Sequence, residues 1–435
     1  MPDQSPRPSP EEIPKSPGAR WQVPYFSFWT GQAVSLLGSR VVAFAVIWWL
    51  TRSSGSATVL AMATLVGLVP EIVLGPFAGV LVDRWNRRIV MIAADAGVAL
   101  ASLFLAYLYW IDATEIWHIY LILFIRSLIG SFQWPAFLAS TALMVPDDQL
   151  TRVNGLNQGV GGLINIIGPP LGALLMGVMP LAGVMLVDTF TAVLAILPLL
   201  FIFVPQPPRV EIEDERPSYW ADLREGFDYI INWRGLLALI GLAVVIKIAL
   251  TPAFSLLPLL IFDYFDGTAA QFSLAEAALG IGIVVGGIIL AVWGGFQRRI
   301  FTSLFGIILL GFGLLALGLV PDTLFIAAVL LVFFLGLTTP IIDGPIMAIL
   351  QGSVTPDMQG RVFTLITSLV SITTPIGLVI AGPVSDQVGL QFWFLLSGAV
   401  CILVGLLFFF VPAVVNIDEN QGSDTVHAGA MKAAE

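Results

Sequence analysis

A run of eighteen or more apolar residues is long enough to cross the roughly 30 Å of hydrocarbon in a bilayer. This chain holds twelve of them, at about 26–50, 58–82, 89–110, 116–144, 155–176, 181–204, 236–262, 273–296, 300–319, 324–342, 362–384 and 390–412. Inside hydrocarbon every backbone N–H and C=O must find a partner within the protein, so such runs have to be helices. Strands of a membrane barrel are short and alternate polar with apolar residues, and these runs do neither. Composition agrees, with 57% hydrophobic and 11% charged residues, where soluble domains carry about 25% charge. The expectation is an all-α membrane protein.

The stretch Gly75 to Arg88 orients it. An apolar run ends at Asp83, Arg84, Arg87 and Arg88 follow, and a new apolar run begins at Ile89. Basic residues collect on the cytoplasmic face. With this turn inside, Arg52 is the sole basic residue of an outside loop, and only Arg40, Arg126 and Lys247 fall within spans. The other basic residues, of 19 in all, are cytoplasmic. Both termini are then expected in the cytoplasm, of a protein in the plasma (inner) membrane. Residues 1–24, with seven prolines, read as a disordered tail and lack the apolar core of a signal peptide. Residues 205–234 read as a cytoplasmic linker in which Trp220, Leu223, Phe227, Ile230 and Ile231 recur at helical spacing, an amphipathic surface helix. Residues 413–435 read as a second tail.

An internal repeat appears at an offset near 210 residues. Gly31-Gln-Ala33-Val34 is answered by Gly241-Leu-Ala243-Val244, and Trp134-Pro135 by Gly344-Pro345. Pro146-Asp147 with Arg152-Val153 is answered by Pro356-Asp357 with Arg361-Val362, and Arg87-Arg88 by Arg298-Arg299. The order is kept, so the chain is read as two pseudo-symmetric six-helix bundles, 25–204 and 235–412, with a substrate site between them near the midplane.

The turn Gly79-Val-Leu-Val-Asp83-Arg84-Trp-Asn-Arg87-Arg88 resembles the signature between spans 2 and 3 of the major facilitator superfamily. More narrowly, the stretches 29–39, 65–84, 123–127, 263–268 and 392–398 are similar to the macrolide-efflux branch. The resemblance implies drug export driven by inward proton flow. Two further family motifs are matched in part: Arg126 with Gly130 in span 4, and Gly168-Pro169-Pro170-Leu171-Gly172 of the antiporter motif in span 5.

Gly79, Asp83, Arg84, Arg87 and Arg88 are expected to form a cytoplasmic latch. Asp83 would accept from the positive N-terminus of a neighbouring helix, and the arginines would bridge to carboxylates or carbonyls of the other half. Charges inside spans normally face a partner or a wet cavity. Arg126 is the expected proton-coupling residue, acting on Glu71, Asp188 or Asp343. Arg40 and Lys247 are expected either to pair with Glu71 and Asp343 or to line the cavity and select a charged substrate. Asp95 is expected to bind Arg87 or Arg88. Gly168, Pro169 and Gly172 are expected to pack a rigid span 5, and Trp29, Phe132, Phe254 and Met347 to be packing or lipid-facing residues.

No G-x-x-x-x-G-K-[ST] loop is present, so ATP does not drive the protein directly. No nucleophile-base pair marks an enzyme. His118 and His427 do not suggest a metal site, and the one cysteine, Cys401, excludes an internal disulfide. No cofactor and no nucleic-acid partner is expected. The partners expected are an amphipathic small molecule, protons and the bilayer, with the chain as a monomer. The alternative is a facilitator, lipid-type carrier or sensor on the same fold. Acid adds little to topology, so Asp83 calls for a role beyond orientation. Asp83→Asn is expected to keep normal membrane expression while transport falls; full transport in the variant removes the latch.

Overall fold

The computed structural model describes residues 21–206, 219–354 and 356–417, apart from some side chains within them. Thirteen helices of at least fourteen residues carry the architecture. The first half contains α1 (Gln22–Ser54), α2 (Ala57–Arg84), α3 (Arg87–Trp110), α4 (Ile116–Met144), α5 (Asp147–Val178) and α6 (Leu181–Phe201). The amphipathic α7 (Tyr219–Asn232) follows. The second half contains α8 (Arg234–Ser255), α9 (Ala269–Trp293), α10 (Arg299–Leu319), α11 (Phe325–Ser353), α12 (Pro356–Val388) and α13 (Gln391–Phe408). Twelve of these, all but α7, are long and apolar enough to span a membrane. The expected tail segments 1–20 and 418–435 lie outside the described residues.

Helix boundaries follow local chemistry. α1 starts at Gln22, inside the stretch expected as tail, because Pro24 sits in its first turn, where a missing N–H costs nothing. The polar connection expected at 145–152 is largely the first two turns of α5. Asp147 and Asp148 stand at its positive N-terminal end, and the arginine comes later. Ser56 and Asn86 cap α2 and α3 by accepting from Val59 and Ile89.

The repeat is reproduced in the packing. In the first half α3 packs on α6 and α4, α2 on α4, and α1 on α5 and α6. In the second, α10 packs on α13 and α11, α9 on α11, and α8 on α12 and α13. Between the halves the main contacts are α2 with α12 and α5 with α9, which the same pseudo-symmetry exchanges. α7 lies against α12 and α8, with Ile230 buried.

Helix packing in hydrocarbon gains little from apolar burial and depends on close approach. α9 and α11 show this most sharply. A Cβ at Gly282, Gly286 or Gly336 would lie 2.1 Å from a carbonyl of Phe333, Leu337 or Leu279, respectively. Gly286→Leu is expected to prevent assembly of the second half, and Gly286→Ala to cost at least the 1–3 kcal/mol typical of overpacking. Size-exclusion homogeneity and melting temperature in detergent are the measurements.

Candidate functional site

The basic turns define one end of the bundle, here the basic end; the other is the far end. At the basic end, Arg87 donates to the carbonyl of Ala139 in α4 (2.9 Å), and Arg88 to the carbonyls of Leu199 and Leu200 at the end of α6. The repeat does the same: Arg299 reaches Ala348 in α11 and Arg298 reaches Val415 beyond α13, both at 3.4 Å. These carbonyls lie near helix C-termini, which lack intrahelical donors and carry partial negative charge. These bonds staple helices of their own half. Gly79, Asp83 and Arg84 lie in the last two turns of α2, and the side chains of Asp83 and Arg84 are outside the described residues. The repeat lacks the acid because α9 stops at Trp293 and reverses through Gly294 and Gly295, both at positive φ.

Arg126 lies ten residues into α4, about 15 Å from its start and so near mid-membrane. It pairs with Asp188 of α6, which is fully buried. Asp188 also accepts from Ser39 of α1 (2.8 Å) and Ser102 of α3 (2.6 Å). Four helices thus meet on one neutralised carboxylate. Asp95 forms a second buried cluster, accepting from Gln32 (2.7 Å), Ser35 (2.9 Å) and Gln133 (2.9 Å). Its acceptors are filled by neutral donors, and the expectation that it binds Arg87 or Arg88 is overturned.

Arg40 does not pair with Glu71. Its guanidinium faces Glu276 of α9 at 3.6 Å, so this ion pair crosses between halves. Gly168 makes room for it: a Cβ there would lie 2.6 Å from Cγ of Arg40. Gly172 likewise admits Phe44, and Gly168, Pro169 and Gly172 are all buried. The glycines of this motif therefore set the approach of α1 to α5.

Between α2 of the first half and the second half a cavity of about 560 Å³ is lined by Lys247, Asp343, Thr64, Leu68, Phe254 and Thr374, among others. A second space of similar volume shares Leu68, Lys247 and Thr374 and continues past Glu71 and Gly75 towards the basic end. Together they form one cleft between α2, α8, α11 and α12. Glu71, Lys247 and Asp343 are all exposed, and Lys247 is near enough to Asp343 for electrostatic attraction. Among the described residues no hydrogen bond or ion pair holds any of the three. Lys247 and Asp343 thus line the cleft while lying near one another. Phe254, expected in packing, contributes to the cavity wall.

Among the described residues, several contacts join the halves at mid-depth and at the far end. Phe272 stacks on Phe44 and Trp48, Trp48 meets Phe262 edge-on, and Asp386 of α12 binds the start of α2. Sequence reasoning passes over Glu276 and Asp386. Glu276 carried the same signal as Glu71, an acid in an apolar run; Asp386 sits at a span end and reads as loop.

Two pseudo-symmetric six-helix halves around a central, partly charged cleft define a membrane transporter. The model of the Major Facilitator Superfamily matches residues 28–259 and 239–432. The chain belongs to that superfamily. It is 34% identical over 399 residues to macrolide efflux protein A of Streptococcus pyogenes, covering 92% of this chain and 98% of that protein. The protein of the same name from Enterococcus faecalis is 35% identical over 325 residues, 74% of this chain and 100% of that one. The multidrug efflux pump Tap of Mycolicibacterium fortuitum is 26% identical, covering 88% and 93%. Among solved structures, a bacterial homologue of the human lysosomal transporter Spinster superposes with TM-score 0.62 at 12% identity, covering 93% and 97%. The nucleoside transporter NupG does so with 0.63 at 13%, covering 88% and 99%.

Removing one partner of a buried ion pair costs about 3–5 kcal/mol. Asp188→Asn and Arg126→Gln are each expected to lower the melting temperature sharply, and the double variant to lose less than the sum. Additive losses in that cycle show that the two side chains do not act together.

Proposed function

We propose that this chain exports amphipathic small molecules, macrolide-like drugs or related compounds, in exchange for protons. The two halves rock about the cleft so that it opens to one side at a time. The observation that carries this reading is the cleft itself: it lies between the halves, runs towards the basic end, and joins apolar walls to Glu71, Lys247 and Asp343. The efflux relatives support the direction and the substrate class. The positive-inside rule supports a cytoplasmic basic end with both termini there, and within this proposal the protein is a monomer of the plasma membrane.

Within this scheme Asp343 is the proton carrier. Asp188 is already committed to three donors, from Arg126, Ser39 and Ser102. Asp343 is exposed to the cleft and gives up no hydrogen bond when it gains a proton. Two carboxylates against one ammonium leave the cleft with net negative charge, which favours a cationic amphiphile. Such a substrate and a proton compete for the same acids, and that competition couples their opposite flows. Arg126 then acts indirectly, by bracing Asp188 and with it the first half. Arg40 and Glu276 join the halves at mid-depth and separate when the cleft changes sides. Asp83 and Arg84 form the cytoplasmic latch of the state closed on that side.

The test is uptake of a labelled macrolide into everted vesicles with an acidic interior. Accumulation is expected to fall at least tenfold with a protonophore, and Asp343→Asn is expected to leave downhill exchange while abolishing the response to the pH gradient. Accumulation indifferent to the protonophore makes the protein a facilitator and overturns the proposal. A resistance panel in an efflux-deficient host identifies the compounds.

A further inference from the structure

The cleft between the halves has two chemically different parts, which share Leu68, Lys247 and Thr374. The part beside Phe254 is walled by leucines and isoleucines of α8, α10 and α11. Hydroxyls occur there too, but they are committed to their own helices. Thr64 donates to the carbonyl of Leu60 (3.0 Å), Thr251 to that of Lys247 (2.7 Å) and Thr339 to that of Leu335 (3.3 Å). A hydroxyl bonded back to its own turn has no proton left to give a ligand. Apart from Lys247 and Asp343, which attract one another, this part is an apolar chamber.

The part towards the basic end is the reverse. One face of α12 lines it with Thr364, Thr367, Ser368, Ser371 and Thr374, and α2 contributes Glu71. The five positions recur at three- and four-residue spacing, so they share one stripe of the helix, about 15 Å long at 1.5 Å rise per residue. Among the described residues, the hydroxyls of Ser368, Ser371 and Thr374 have no hydrogen-bond partner, and Glu71 has neither a hydrogen bond nor an ion pair. Thr374 is the sharpest case: it is only 8% exposed, lines both parts of the cleft, and is still unpartnered. A buried hydroxyl left without a partner costs free energy that a bound ligand recovers.

These groups define what fits. Open hydroxyls both donate and accept, so they match the hydroxyls of a ligand. Glu71 accepts only, and its strongest partner is a positively charged N–H donor. Asp343 already has Lys247 close by, which leaves Glu71 as the acid that no group holds. An amine that carries hydroxyl groups, attached to an apolar body, satisfies both parts at once.

We propose that the cleft is a divided site that holds its substrate in one orientation. The apolar body lies in the chamber beside Phe254, and a hydroxylated amine head lies between Glu71 and the hydroxyls of α12. Glu71, Ser368, Ser371 and Thr374 are then specificity residues, while Asp343 keeps the proton. Head group and proton still oppose one another, because each adds positive charge to the same small cleft. α2 and α12 belong to different halves, so a head bound between them bridges the interface at which the halves move. Resting on the export reading given above, the divided site names the kind of amphiphile carried.

The experiment uses the purified full chain in nanodiscs, with no pH gradient. Three amphiphiles that share an octyl body compete with a labelled macrolide. N-octylglucamine has an amine and hydroxyls, octyl glucoside has hydroxyls alone, and octyltrimethylammonium has charge alone. In the parent, N-octylglucamine is expected to displace the label at a concentration about tenfold below either of the others, the factor that one charge-assisted hydrogen bond supplies. Glu71→Gln is expected to remove its advantage over octyl glucoside. Ser368→Ala with Ser371→Ala is expected to remove most of its advantage over octyltrimethylammonium. Phe254→Ala is expected to weaken all three alike, because it touches the shared body. The two polar variants are independent, so either carries the test if the other does not fold. Equal displacement by the three heads in the parent, or polar variants that weaken all three by the same factor, overturns the divided site alone. A label that does not bind the parent overturns the substrate reading and the divided site with it.

Discussion

A charge inside a membrane span must be neutralised by a partner or reach water, and the two halves meet that constraint in different ways. In the first half, Asp188 and Asp95 are buried and filled with donors from three other helices in the one case and two in the other. Such a network is expensive to disturb, because losing one donor leaves the rest of the buried cluster uncompensated. In the second half, Lys247 and Asp343 answer to water in the cleft. The pseudo-symmetry of the helices therefore does not extend to their chemistry: one half buries its carboxylates among donors and the other exposes its charges to the cleft.

The basic pairs show what the repeat does preserve. Arg87 and Arg299 each reach a carbonyl of the fourth helix of their half, and Arg88 and Arg298 each reach the chain at the end of the sixth. The sequence offset aligns Arg87 with Arg298, yet the partners are exchanged within each pair. Orientation and helix stapling need two positive charges at that turn, and which of them takes which carbonyl is set by how each chain enters its next helix. Asn86 caps α3 directly, whereas the second half turns through Gly294 and Gly295.

Most of the fold was legible because hydropathy and arginine placement act over whole spans and need no knowledge of neighbours. The twelve spans, the repeat and the amphipathic α7 come from such signals. Partners between helices were much less legible. Sequence offers Glu71 on an adjacent span as one partner for Arg40, but its partner is Glu276 across the interface, since helix rotation decides which face meets which. Asp95 was assigned to arginines two turns away, but glutamines on α1 and α4 reach it first. Arg126 with Asp188 was within reach of sequence reasoning because both are costly in hydrocarbon and few partners exist. Gln32, Gln133, Ser39 and Ser102 carry no such signal, as neutral polar residues are common in spans.

Asp83 stood out in the sequence as the one part of the basic turn that orientation leaves unexplained. Asp386 did not stand out, because an acid at a span end looks like loop. The structure makes the second as unusual as the first. Asp386 is exposed, and it nevertheless gives its lone pairs to the start of a helix in the other half. The bond lies where α2 and α12 are held in contact by Gly382, so it must break for the far end to open. Breaking it would leave the first N–H groups of α2 without that acceptor, at the end of the helix that carries partial positive charge.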